Sequence, residues 1–131
     1  DGRKNIAVDG PQVAGELRVR ADEEHLVLIL GELASNSLRF ARKAIKLRAA
    51  REGDVVAFTF EDDGPGYPPG LPAALRQGRA GLSRESGLAL PIVDAIAQRF
   101  GGRLVLGPSS LSSAKDNSPG ASARLELPAE G

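Results

Sequence analysis

Residues 61–70 read EDDGPGYPPG, a run that neither a helix nor a strand can carry through. It follows DVVAFTFE (54–61), which reads as a strand. An Asp-Gly pair at the end of a strand is ordinarily a hairpin signal. A hairpin needs a returning strand, and YPPGLPAALRQGRAG (67–81) cannot supply one. The segment therefore reads as backbone shaped to hold something. Gly64 and Gly66 permit positive φ and close approach of a ligand. Asp62, at the end of the strand, can place a carboxylate in the space so opened, while Asp63 reads as a solvated turn residue. A buried carboxylate of this kind accepts a hydrogen bond from an exocyclic amine, as on adenine.

The rest of the chain falls into short elements around this break. KNIAV (4–8) and ELRVR (16–20) read as strands separated by Asp9-Gly10-Pro11. Residues 22–40 read as a helix, with Asp22 as N-cap, Glu23 and Glu24 in the first turn and cations at the far end. Leu26, Ile29, Leu30, Leu33, Ser37, Phe40 and Ala41 make its stripe. Residues 44–50 and 54–61 form a strand pair turned at Glu52-Gly53-Asp54, and residues 67–86 hold one short helix near 71–77. Residues 88–100 read as a second long helix, with Pro91 in its first turn and Gly101 at a left-handed cap. Strands at 103–106 and 122–127 close the chain around the Ser-rich segment 108–120, read as a mobile hairpin loop. Strands in adjacent pairs with few helices predict an α+β fold. The expected architecture is a two-layer sandwich, a mixed, mostly antiparallel sheet covered on one face by about three helices.

Composition narrows the function. The 131 residues suit a single domain, 1–131. Lys+Arg and Asp+Glu number 17 each, so no general basic field for nucleic acid exists. With no Cys and one His, thiolate zinc sites and multi-histidine metal sites are excluded. No apolar run is long enough for a membrane helix, so direct membrane contact is not expected. The chain begins at Asp1 and contains no Met, which reads as a fragment of a longer protein.

Two further segments carry polar groups in useful places. Glu32 and Asn36 lie one turn apart on one helix face, with Arg39 and Lys43 following on nearly the same line. Spacing alone allows a solvated flank. It also allows a strip presenting a base, an amide oxygen for Mg²⁺ and two cations for phosphate. SGLALPIVDAI (86–96) runs from Ser-Gly into a helix start, where free N–H groups suit phosphate or simply receive a cap.

In this order the three segments resemble the catalytic ATP-binding domain of sensor histidine kinases, a Bergerat-fold (GHKL) domain. ELASNSLRFA (32–41) resembles the N box, EDDGPGYPP (61–69) the G1 box, and SGLALPIVDAIAQRFGGRL (86–104) the G2 box and its helix. GASARLELP (120–128) resembles the last strand. The resemblance implies an enzyme that binds Mg-ATP and passes its γ-phosphoryl group to a histidine on a separate helical phosphoacceptor domain. Asp62 would bind the adenine amino group, with Gly64, Gly66 and Tyr67 along the nucleotide. Asn36 would hold Mg²⁺, Arg39 and Lys43 would approach phosphate, and Glu32 would be the catalytic base or polarising group. Gly87, Leu88 and Ala89 would offer N–H groups to the phosphates, and residues 67–86 would be the ATP lid. It also implies a cytoplasmic location within a larger sensor protein and a response regulator downstream.

Two other functions fit the residues. One is a Bergerat-fold ATPase or an anti-sigma-type serine kinase, with Glu32 activating water or a hydroxyl. The other is a degenerate nucleotide-binding regulatory module. Ala89 in place of a second G2 glycine, and a short lid without phenylalanine, speak for the latter.

Overall fold

The computed structural model describes residues 5–76, 90–111 and 119–130. The chain runs β1 (Ala7–Val13), α1 (Glu23–Phe40), β2 (Ala44–Glu52), β3 (Val55–Asp62), α2 (Leu71–Arg76), α3 (Leu90–Arg99), β4 (Arg103–Gly107) and β5 (Ala121–Pro128). The strands form one sheet in the order β1-β2-β3-β5-β4. β1 is parallel to β2, and every other pair is antiparallel. The expected mixed, mostly antiparallel α+β architecture is the one observed.

The register sorts the sheet into two faces. Val56, Phe58, Phe60 and Asp62 of β3 stand opposite Leu127, Leu125, Ala123 and Ala121 of β5. Phe60, Leu125 and Leu127 join Ile29 and Leu33 of α1 and Leu90 and Val93 of α3 in one core. Ile29 is fully buried, and burying an aliphatic side chain of that size contributes roughly 1.5–3 kcal/mol. The alternate residues carry charge. Glu126 accepts from the Nε atoms of Arg103 and Arg124, each at 2.7 Å, and Arg124 also reaches Glu52 at 3.0 Å. One face of the sheet is thus packed by helices and the other is polar, as antiparallel sheets permit.

Local signals set the helix ends. Asp22 accepts from the His25 N–H at 3.1 Å and caps α1, and Arg39 lies in its last turn. α3 ends in a Schellman cap, with Gly102 N–H on Ala97 O at 2.8 Å and Gly101 N–H on Gln98 O at 3.0 Å. Buried Asp94 ties this helix to β4, accepting the Leu104 N–H at 2.9 Å. No helix among the described residues is long and apolar enough to cross a membrane.

Two N-terminal expectations are corrected. A single strand, β1, runs straight through Asp9-Gly10-Pro11, with its register against β2 shifting between Asp9 and Gln12. β1 lies at the edge of the sheet, where a proline removes no needed ladder bond and a bulge is readily accommodated. Residues 16–20 form no strand. Val19 makes one isolated bridge to Ala129, and Leu17 and Val19 are half-buried between exposed neighbours. The expected short helix after the loop is α2, while residues 77–86 of the proposed lid and 112–118 of the Ser-rich loop lie outside the described residues.

Candidate functional site

α1 and β3 bring the first two segments together. Asp62 is the last residue of β3, on the face that meets the helices, and is 4% exposed. Asn36 lies on α1 beside buried Leu33 and Ser37. Between them is a recess open to solvent. Leu33, Asn36, Ser37 and Phe40 form the helix side, and Asp62, Gly66, Tyr67 and Pro68 form the strand-and-loop side. Ala121 and Ala123 of β5 make the floor. Their small side chains leave the volume that larger residues would fill.

The loop after β3 is held by backbone contacts. The Gly64 N–H donates to Asp62 Oδ1 at 2.8 Å, and the Gly120 N–H donates to Gly64 O at 3.0 Å. Gly64 is pressed against the end of α1, where an added Cβ would lie 2.2 Å from Phe40 O. Gly66 sits at φ +87°, a conformation that side chains disfavour, and an added Cβ would lie 2.9 Å from Pro119 Cγ. Both glycines are therefore needed for the loop to pass between α1 and the turn before β5.

The two aspartates have different surroundings. Asp62 faces the recess. Asp63, expected to be a solvated turn residue, instead accepts N–H groups of Arg42, Lys43 and Ala44 at the entry to β2. Burial pushes its carboxyl up, but the donors from Lys43, Arg42 and Ala44 outweigh burial and hold it below the usual carboxylate range. Tyr67 is pushed well above the ordinary phenol value, first by burial and then by the Asp62 charge. The recess therefore pairs an acceptor carboxylate with a neutral phenol, beside an apolar wall and an amide. This arrangement suits a flat, amine-bearing ring with a polar tail.

The other expected positions divide. Asn36, Asp62, Gly66 and Tyr67 line the recess, whereas Gly64 is buried and does not line it, its N–H bound to Asp62 Oδ1. Glu32 is exposed one turn before Asn36 on α1 and is not among the lining residues. The Arg39 guanidinium lies 5.8 Å from the ring centroid of Phe40, which is itself a lining residue. Lys43 is exposed, and its backbone N–H is bound to Asp63. Gly87, Leu88 and Ala89 lie outside the described residues. Sequence reasoning did not place Leu33, Ser37, Phe40, Ala121 or Ala123 at the site. Ser37 carried a usable signal, as the polar member of an otherwise apolar stripe.

Fold and site together define a two-layer α+β domain in which a helix, the loop after a central strand and the last strand enclose a carboxylate-walled recess. Residues 21–131 match the family of histidine kinase-, DNA gyrase B- and HSP90-like ATPases, and the chain belongs to that family. It is 35% identical over 98 residues to the sensor protein kinase CarS of Pseudomonas aeruginosa, covering 72% of this chain and 22% of that protein. The chain thus spans about a fifth of that relative's length. The catalytic domain of the histidine kinase ThkA shares the fold, with a TM-score of 0.72 at 21% identity over 92% of this chain and 80% of that one. Full-length ShkA, whose structure is of a complex with AMPPNP, gives 0.69 at 29% identity over 95% of this chain and 25% of that one.

Proposed function

We propose that this domain binds Mg-ATP and donates the γ-phosphoryl group to a histidine on a separate helical phosphoacceptor domain of a two-component sensor kinase. The observation that carries the reading is that the buried carboxylate of Asp62 and Asn36 of α1 line one recess. In this reading the adenine amino group donates to Asp62, and Tyr67, Phe40 and the alanines of β5 enclose the ring. Gly64 and Gly66 let the loop follow the nucleotide.

Asn36 offers one hard oxygen on the side of α1, which fits Mg²⁺ that keeps its waters and takes its other ligands from phosphate. Mg²⁺ bound there supplies charge neutralisation. Arg39 and Lys43, at the same end of α1, add positive charge near the tail. Glu32, exposed one turn before Asn36, polarises the accepting group once an acceptor domain docks. Gly87, Leu88 and Ala89 complete the phosphate contacts, and residues 67–86 act as the lid. Phosphoryl transfer needs mainly positioning and charge neutralisation, so this set suffices once an acceptor is present. The response regulator would act downstream, and the domain would work in the cytoplasm.

Calorimetry with Mg-ADP tests the binding step, and absence of binding overturns the reading. Labelled ATP with the acceptor domain tests the transfer. Acid-labile, base-stable label on that domain supports histidine transfer, whereas label on serine, or only free phosphate, supports a serine kinase or ATPase.

A further inference from the structure

We propose that Asp63 is a positioning residue of the nucleotide site, clamping the loop wall that carries Asp62 to the end of the helix wall that carries Asn36. The proposal rests on the nucleotide-binding reading above and extends it to a residue that does not line the recess. α1 ends at Phe40, the Ala41 N–H closes its last turn on Ser37 O at 2.9 Å, and the chain enters β2 at Ala44, so the N–H groups of Arg42 and Lys43 lie beyond the helix. Asp63 Oδ1 accepts from Arg42 N at 2.7 Å, Lys43 N at 3.0 Å and Ala44 N at 3.2 Å. Its Oδ2 accepts from Lys43 N at 3.1 Å, and its own N–H donates back to Ala44 O at 3.2 Å. Hydrogen bonds to an ionised acceptor are the stronger kind, and several converge here on one carboxylate.

The position of this clamp matters more than its strength. Asp63 stands between Asp62, which faces the recess, and Gly64, whose backbone presses on Phe40 O. Phe40 lines the recess from the other side, so the two walls meet at the clamp. A shift of Asp63 moves its neighbour Asp62 directly and alters the Gly64 N–H bond to Asp62 Oδ1. The donors from Lys43, Arg42 and Ala44 overcome burial and keep the carboxyl ionised near neutrality, so the clamp stays closed under ordinary conditions.

The test compares Asp63→Ala and Asp63→Asn with the unmodified chain, using Mg-ADP in calorimetry and amide exchange at Gly64 by NMR. Asp63→Ala is expected to weaken Mg-ADP binding about tenfold or more, and Asp63→Asn, which keeps one acceptor oxygen, about threefold. Gly64 amide exchange is expected to quicken in the same order. A core substitution remote from the recess, Leu104→Ala, controls for stability and is expected to leave affinity unchanged. Affinity losses that merely follow stability across all three variants overturn the proposal, as does wild-type affinity in both Asp63 variants. If Asp63→Ala does not fold, wild-type affinity in Asp63→Asn is enough to overturn it. If the unmodified chain binds no Mg-ADP, the nucleotide reading fails. Gly64 exchange then decides the clamp alone, faster exchange supporting it and unchanged exchange overturning it.

Discussion

The Gly64 N–H donates to Asp62 Oδ1 at 2.8 Å, turning the loop that leaves β3 back onto its own carboxylate. This contact helps to hold the Asp62 side chain, which lines the recess. Asparagine keeps an acceptor for Gly64 but loses the charge and one oxygen. Asp62→Asn is therefore expected to stay folded and to bind Mg-ADP about 10- to 100-fold more weakly, as for a lost hydrogen bond to a charged group. Calorimetry measures it, and wild-type affinity would remove Asp62 from the adenine role.

Asn36 is half-buried on the recess side of α1, with Ser37 and Leu33 packed beside it. If its amide oxygen takes one Mg²⁺ position, removing it makes nucleotide binding indifferent to the metal. Asn36→Ala is expected to bind ADP equally in Mg²⁺ and in EDTA, while the unmodified chain binds more tightly in Mg²⁺. A persisting Mg²⁺ preference in the variant would assign the metal elsewhere.

Much of this arrangement was legible because its signals are local. The stripe of α1, the Asp22 cap, the Gly53 turn between β2 and β3 and the Gly101 cap of α3 each depend on residues within a few positions. The course of β1 is hidden in the sequence because Gly10-Pro11 looks like a break, and only its place at the sheet edge makes it tolerable. Of the two aspartates, Asp62 lines the recess and Asp63 does not. The role of Asp63 is hidden in the sequence, since its partners Arg42, Lys43 and Ala44 come from the far end of the preceding hairpin. Ala121 and Ala123 were invisible as a floor because their proximity to Asp62 arises only through the register of β3 with β5.

Two glycines with different surroundings should respond oppositely to alanine. At Gly64 a Cβ would lie 2.2 Å from the Phe40 carbonyl, which is backbone and cannot swing aside. Gly64→Ala is expected to lower unfolding free energy by about 1–3 kcal/mol, the usual range for overpacking. At Gly31, inside α1, a Cβ meets nothing within 4 Å. Gly31→Ala is expected to raise stability by about 0.5–1 kcal/mol through helix propensity. Denaturant midpoints at constant slope check both, and equal effects at the two sites would contradict the close approach at Gly64.

Tyr67 allows a test on the alkaline side. Burial, and after it the Asp62 charge, raise the Tyr67 pKa in the folded chain. An unfolded tyrosine titrates near about 10. Between that value and the raised native one, the unfolded chain releases a proton that the folded chain keeps. The unfolded state then binds fewer protons, so stability present below pH ~10 is lost as pH rises through this range. The chain has one Tyr and no Trp, so tyrosinate absorbance reports this group alone. The absorbance is expected to rise well above pH ~10 in the folded chain and near that value in denaturant. Tyr67→Phe should flatten the corresponding fall in stability. Asp62→Asn should bring the native titration partly back down, burial being the larger cause and remaining in place. A native titration at the ordinary value would place the phenol in solvent and out of the recess.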